Sequence, residues 1–458
     1  MPPMRSSDLI YKLDDVPPWN HLLALSVQQM LFMFAASTFP AMLVREIGGS
    51  VELATAMVSL TMIAAGVGSV IQASRLPFMG SGYLCPNVCG PSYLGASLHA
   101  AWVGGLPVMR GMILFSGLVE MALAPIIKRV RGLFPNLVVG LVVMMVGVSV
   151  ITVSISNFFG VAYAGDEIRW QDVLIGSVSL LIMIFANLWG KGWVRMYCLL
   201  LGTVAGWLLA FFITRETWEA FSIVKGKALF DLPTRDLSMF TLGFDPSLAV
   251  TFLIVSICGS LKSFGNLLAA QQISEPEKRE PDMKPLARGL MADGFTTAMA
   301  GVMGALAVDT SSSNVGLAAA TRAVSRRIAI VAGVLFTILA FMPKITSAIA
   351  TIPRPVLGAS ILFAGAFMIC TGIQQMVEDG MDTKGIFTVG ISMFFGFSTG
   401  FMPHLYARLP FAAQQFFTDP LATTTIFAVV LYQVFNLDRL WKKNSKSRPG
   451  GSASPGKK

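Results

Sequence analysis

One ammonium lies inside a long apolar run: Lys262, within Cys258-Gly259-Ser260-Leu261-Lys262-Ser263-Phe264-Gly265-Asn266. Three carboxylates, Glu120, Asp293 and Asp309, fall within or beside other apolar runs, and Asp419 lies close to the end of another. An ionisable group at the centre of a membrane helix costs about 2.5–3.5 kcal/mol on insertion scales, so each is a first candidate for function. A buried ammonium needs a carboxylate partner, an anionic ligand or the loss of its proton. Lys262 could be held by Asp309 or Asp293, snorkel to an interface, or supply the cationic element of a substrate site. Glu120 could pair with Arg110 or face a lipid–water boundary, and no role is assigned to it.

The stretch Asp309-Thr310-Ser311-Ser312-Ser313-Asn314-Val315-Gly316 has the chemistry of a helix N-cap, hydroxyls and an amide ahead of a helix start. The free N–H groups and positive dipole end of such a helix bind a carbonyl oxygen or an anion. Gly80-Ser81-Gly82-Tyr83, a second polar stretch of small residues, could supply an opposing half.

Other chemistries lack their residues. Cys85, Cys89, Cys198, Cys258 and Cys370 form no CxxC pair, and His21, His99 and His404 are scattered. Neither HExxH nor GxSxG occurs, nor the GxxxxGK(S/T) of an ATP-driven machine. The sequence therefore predicts no enzyme, no catalytic residues, no metal and no cofactor. The net charge of +9 comes from Lys and Arg in short loops and in the tail from Trp441 to Lys446, which argues for a cytoplasmic membrane face and against nucleic acid.

Of the 458 residues 54% are hydrophobic and 13% charged, about half the charge of a soluble domain. The apolar runs predict fourteen helices, at 20–44, 52–73, 88–104, 106–126, 136–156, 171–189, 194–214, 247–270, 287–306, 314–324, 328–350, 356–374, 385–402 and 419–436. Two, at 88–104 and 314–324, are short for a bilayer. Each follows one of the polar stretches, so each is expected to cross as extended chain and then a half-helix. They take third place in the first seven and third in the second, the pattern of two inverted repeats with a midplane site.

The fold class is thus an all-α polytopic membrane protein, fourteen segments in two inverted seven-segment repeats. The expected divisions are a cytoplasmic segment 1–19, a first repeat 20–217, an outer loop 218–246, a second repeat 247–436 and a basic cytoplasmic tail 437–458. Most of the 34 Lys and Arg fall on one side, in clusters such as Lys128-Arg129-Val130-Arg131, Lys278-Arg279 and Arg326-Arg327. That places both termini in the cytoplasm. No signal peptide is expected ahead of the first helix.

These residues resemble the nucleobase/ascorbate transporter family, the nucleobase:cation symporters of the second type that include uracil, xanthine and urate permeases. Asn314-Val315-Gly316-Leu317-Ala318-Ala319-Ala320-Thr321-Arg322 is similar to the family signature N-x-G-x4-T-(R/K/G), with Ser313 departing at the position before it. Leu25-Ser26-Val27-Gln28-Gln29-Met30 resembles the Gln-His segment of the first helix, with Gln29 where His is usual. Lys262-Ser263-Phe264-Gly265-Asn266 stands where the family has a Glu-led segment, and Ala292-Asp293-Gly294 also resembles it. The likeness covers about residues 20–436.

It implies a core domain from segments 1–4 and 8–11, a gate domain from 5–7 and 12–14, a homodimer and a home in the bacterial inner membrane. Carried over, the substrate residues are Ala36, Ser37, Tyr83, Lys262, Ser311, Ser312, Ser313 and Asn314, with Tyr83 offering a ring face. The familial Glu is Lys at 262 and Ser at 313. An ammonium only donates hydrogen bonds, so the expected ligand is a planar nucleobase-like compound presenting acceptors or negative charge. Proton or sodium co-transport would fall to Asp293 or Asp309. The alternative is a small-anion carrier of the related sulfate/bicarbonate type.

Overall fold

The computed structural model describes residues 9–127, 135–161, 166–191, 193–215, 224, 226–233, 241–278, 281–377, 380–406, 417 and 420–436. Asp419, the cluster Lys128 to Arg131, much of the 218–246 loop and the tail 437–458 lie outside them.

The first half gives α1 (Trp19–Ala36), α2 (Thr38–Glu46), α3 (Val51–Ala73), strand β1 (Asn87–Cys89), α4 (Leu94–Leu123), α5 (Asn136–Ser149), α6 (Ile151–Phe158), α7 (Trp170–Leu188) and α8 (Cys198–Ile213). The second half gives α9 (Ala249–Ser274), α10 (Met283–Met303), strand β2 (Val308–Thr310), α11 (Ser312–Thr321), α12 (Arg326–Ala340), α13 (Pro343–Ala350), α14 (Arg354–Val377), α15 (Thr383–Phe401) and α16 (Pro420–Phe435). Among the described residues seven helical stretches are long and apolar enough to cross a membrane, and α12 with α13 makes an eighth, bent by 83°. The fold is a mostly helical, multi-pass membrane architecture.

The predicted break before segment 3 falls later in the chain than expected. Gly80 and Gly82 have φ of +86° and +76°, the left-handed region that turns a chain, so 80–83 is no extended stretch. Extended backbone begins at Asn87 and the helix at Leu94, rather than 88. Segments 3 and 4 are continuous in α4 except at Gly104 and Gly105, where φ/ψ of −139°/17° and 71°/−172° break the helix. Only glycine takes the Gly105 conformation readily, and Pro107 restarts the helix beyond it.

Helix α10 lies along α4, and α12 along α3 and α1. In a second set α14 lies along α5, α6 and α7, with α8 on α7 and α16 on α15. Glycine permits backbone contact in both sets. A Cβ at Gly117 would stand 2.2 Å from Ala298 N, and one at Gly372 2.5 Å from Gly140 O. Gly372→Leu would need its two helices to separate, an overpacking cost of about 1–3 kcal/mol. The expected result is a several-fold lower monodisperse yield in fluorescence-detected size-exclusion chromatography, with Gly390→Leu, where a Cβ meets nothing, behaving as wild type.

Side-chain polar contacts between the sets include the following. Asn157 Nδ2 on α6 donates to Glu46 Oε1 on α2 at 2.7 Å, and Arg354 on α14 stands 3.7 Å from the same oxygen. Tyr197 hydroxyl donates to Gln28 O on α1 at 3.2 Å. The chain ahead of α1 is clipped down by Val324 N donating to Tyr11 O and Arg326 N to Leu13 O.

Candidate functional site

Strands β1 and β2 pair antiparallel, with Asn87 opposite Thr310, Val88 opposite Asp309 and Cys89 opposite Val308. Each strand leads into a helix, β1 through a short turn into α4 and β2 directly into α11. The ladder satisfies backbone groups that membrane hydrocarbon would leave unpaired. Side chains finish the job: Asn87 N donates to Ser69 Oγ at 2.9 Å, and Thr297 Oγ1 donates to Val308 O at 2.6 Å.

Helix α9 grips β2 along one face. Lys262 Nζ stands 2.7 Å from Asp309 Oδ2, and Asn266 Nδ2 one turn on donates to Thr310 O at 3.0 Å. Thr310 Oγ1 donates to Ser263 Oγ at 3.0 Å. The i, i+1, i+4 spacing puts all three on one side of the helix. Of the partners open to Lys262 in the sequence, the structure selects Asp309, whose side chain is fully buried while that of Lys262 is 25% exposed. The ammonium is neutralised from behind and keeps donor capacity toward the open side.

Helix α11 begins beside this pair. Ser311 is its N-cap, its hydroxyl accepting from Asn314 N at 3.3 Å. Ser312 and Ser313 form the first turn and are exposed. Free N–H groups and two open hydroxyls therefore gather at the positive end of a helix dipole. Asn314 works differently from a pocket residue: buried, it donates through Nδ2 to Gln29 Oε1 at 2.6 Å and Gln29 O at 2.9 Å, while Gln29 Nε2 returns to Asn314 O at 3.3 Å. It pins α11 to α1.

The remaining expectations scatter. Ala36 and Ser37 stand at the break between α1 and α2, and Ser37 Oγ turns back to Met33 O at 3.2 Å. Tyr83 is not brought to Lys262 by its hydroxyl, which accepts from Gln271 Nε2 at 2.9 Å and donates to Glu275 Oε2 at 3.1 Å. Gln271 is nine residues beyond Lys262, about 13 Å along the helix. Asp293 is fully buried and accepts at Oδ1 from Asn87 Nδ2 at 2.9 Å, which ties α10 to β1.

The aromatic residue that does stand at a half-helix tip is Tyr93, fully buried and the residue just before α4. Its hydroxyl donates to Glu120 Oε1. That corrects the reading of Glu120: it is fully buried and meets neither Arg110 nor a boundary. Arg110 lies nearly three turns earlier on α4 and donates to Thr241 O and Val302 O instead. A Cβ at Gly259 would come within 2.9 Å of the Tyr93 hydroxyl and 3.2 Å of Glu120 Oε1, so this pair rests on α9 one turn from Lys262. The signal in the sequence was an aromatic directly after Gly90-Pro91-Ser92, where a turn must precede a helix.

Comparison with known proteins bears on the family and the fold. The model described as Permease family, that of the xanthine/uracil permeases, matches residues 20–405. The xanthine permease XanP of Escherichia coli is 25% identical over 447 residues, 94% of this chain and 95% of that one. The uric acid permease PucK of Bacillus subtilis is 25% identical over 419 residues, 90% of this chain and 95% of that one. Among solved structures, the transmembrane domain of the cyanobacterial bicarbonate transporter BicA aligns over 91% of this chain and 98% of its own, with TM-score 0.56 and 12% identity. The murine anion transporter Slc26a9, inward-facing, aligns over 94% and 70% with TM-score 0.59 and 10% identity. At those identities the two structures share a fold and nothing further is carried from them. The sequence match over most of its length makes this chain a divergent member of the xanthine/uracil permease family.

Proposed function

We propose that this chain is a secondary transporter that carries an acceptor-rich nucleobase, an oxopurine such as xanthine or urate ahead of uracil, across a bacterial inner membrane with both termini in the cytoplasm. The observation that carries the substrate class is the pairing of a partly exposed Lys262 with a buried Asp309 beside the open first turn of α11. Ring carbonyls accept from the ammonium, from Ser312 and Ser313, and from the N–H groups behind them. Because Asp309 already balances the charge, a neutral base fits as well as a monoanion, and the site is less cationic than Lys262 alone implied.

In this reading the fourteen segments form two inverted repeats, the set around the two strands is the core, the set around α14 is the gate, and the core moves against the gate with the substrate between them. Dimerisation runs through the gate. Ion coupling runs through the buried carboxyl groups behind the tip, Asp293 and Asp309 among them, with Ser311 and Asn314 shaping the tip and Ala36, Ser37 and Tyr83 lining the approach. The packing of α10 on α4 and of α14 on α5 supports that division. Radiolabelled xanthine, urate and uracil, offered to cells lacking their own permeases, test the reading: saturable oxopurine uptake at least tenfold above empty cells is expected. Stabilisation of the purified protein by sulfate or bicarbonate and by no base would instead favour a small-anion carrier; a ligand at 100 times its Kd adds about 2.7 kcal/mol.

A further inference from the structure

The region behind the half-helix tips holds three fully buried carboxyl groups, Glu120, Asp293 and Asp309, and one ammonium. Lys262 is committed to Asp309. Among the described residues no salt bridge reaches Glu120, whose one hydrogen bond comes from the neutral Tyr93 hydroxyl, and its Oε2 has no partner. The ionisable groups around it are Tyr93, Asp293 from α10, Asp309 from β2 and Lys262 from α9. Helix α2, which also touches α4, sends Arg45 to Ala350 O and Ile352 O, and Glu46 to Asn157. A carboxylate buried without a cation is expelled or neutralised.

We propose that Glu120 is a proton-binding residue of the transport cycle, partnered by Tyr93, and that its charge decides whether Lys262 stays on Asp309. This rests on the transporter reading above. With its proton in place Glu120 is neutral and the Tyr93 ring is held at the tip of α4 against Gly259. When the proton leaves to water on the side to which the site opens, the new carboxylate competes for the ammonium one helical turn away. Asp309 and the substrate carbonyls then lose their donor, and release of base follows release of the proton. The proton returns to Glu120 from the opposite face, so one carboxyl O–H bond is made and broken per cycle and no other reactant is consumed.

The test uses the full chain in liposomes, with whichever of radiolabelled xanthine, urate or uracil the wild type carries. Two readouts are taken: accumulation driven by an imposed pH gradient, and counterflow at equal pH, which needs no net proton movement. Glu120→Gln is expected to lower gradient-driven accumulation at least tenfold while counterflow stays within threefold of wild type. Glu120→Asp should keep both. Should Glu120→Gln fail to fold, Tyr93→Phe replaces it and must move the pH midpoint of uptake while Glu120→Asp retains accumulation. Gradient-driven accumulation unchanged in Glu120→Gln would overturn the assignment, as would equal loss of both readouts in Glu120→Gln and Glu120→Asp. A wild type that moves base with no response to pH removes the proton role but leaves the transporter reading standing; one that moves no base removes both.

Discussion

Lys262→Met is expected to abolish uptake, at least a hundredfold below wild type, and to lower the melting temperature of the purified protein. Removing the ammonium leaves Asp309 buried in the strand ladder with no countercharge. Breaking such a pair costs about 3–5 kcal/mol, and the lower end applies because Lys262 is partly exposed. Stability and transport separate in the double variant Lys262→Met/Asp309→Asn, which removes both charges. Thermal stability should return to within a few degrees of wild type, since replacing both members of a buried pair is close to neutral. Uptake should stay absent, since the charged donor that faces the substrate is gone and the hydroxyl and N–H groups of the α11 tip remain alone. If uptake returns with stability, Lys262 is a structural partner of Asp309 and the substrate assignment fails.

Asn314→Ala carries the second large effect. It deletes the two donated bonds that hold α11 against α1 and strands the buried Gln29 Oε1, while the bond from Gln29 Nε2 to the Asn314 backbone carbonyl remains. Leaving a buried polar group unsatisfied costs about 1–3 kcal/mol. Were 2 kcal/mol of that spent on positioning the tip, KM would rise roughly thirtyfold, while Vmax at saturating base changes much less. Gln29→Ala should reproduce the defect, and the double variant should add little to either, because the two side chains form one unit. Uptake kinetics on the three variants check this; additive losses would show that Asn314 acts on the substrate independently of Gln29.

The helices were legible because apolar length is a one-dimensional property. The run predicted at 52–73 is helix 51–73, and that at 136–156 is split only at Val150. Bends inside an apolar run were not legible. Nothing in 328–350 distinguishes a straight span from two helices meeting at 83°, since Met342-Pro343 reads equally as a kink or a restart. The strand before α11 was anticipated from Asp309 to Ser313 and is found at Val308–Thr310, because a run of hydroxyl residues caps a helix far better than it continues one. Its partner was misplaced to 80–83, because composition marks flexible residues without telling a left-handed turn from extended backbone.

By itself the sequence determined that this chain is a multi-pass membrane protein, that Glu120, Lys262, Asp293 and Asp309 are rare ionisable groups within or beside its apolar runs, and that a helix starts at the Ser-rich stretch. Length, hydropathy and capping chemistry are local, so they survive without a fold. Only the tertiary structure decided that Lys262 faces Asp309 rather than Asp293, that Asn314 belongs to Gln29, and that Tyr93 and Glu120 meet behind the site while the Tyr83 hydroxyl lies elsewhere. Those pairings join residues from 27 to 285 positions apart. They depend on which helix faces which, and backbone contacts such as Gly117 with Ala298 set that in three dimensions.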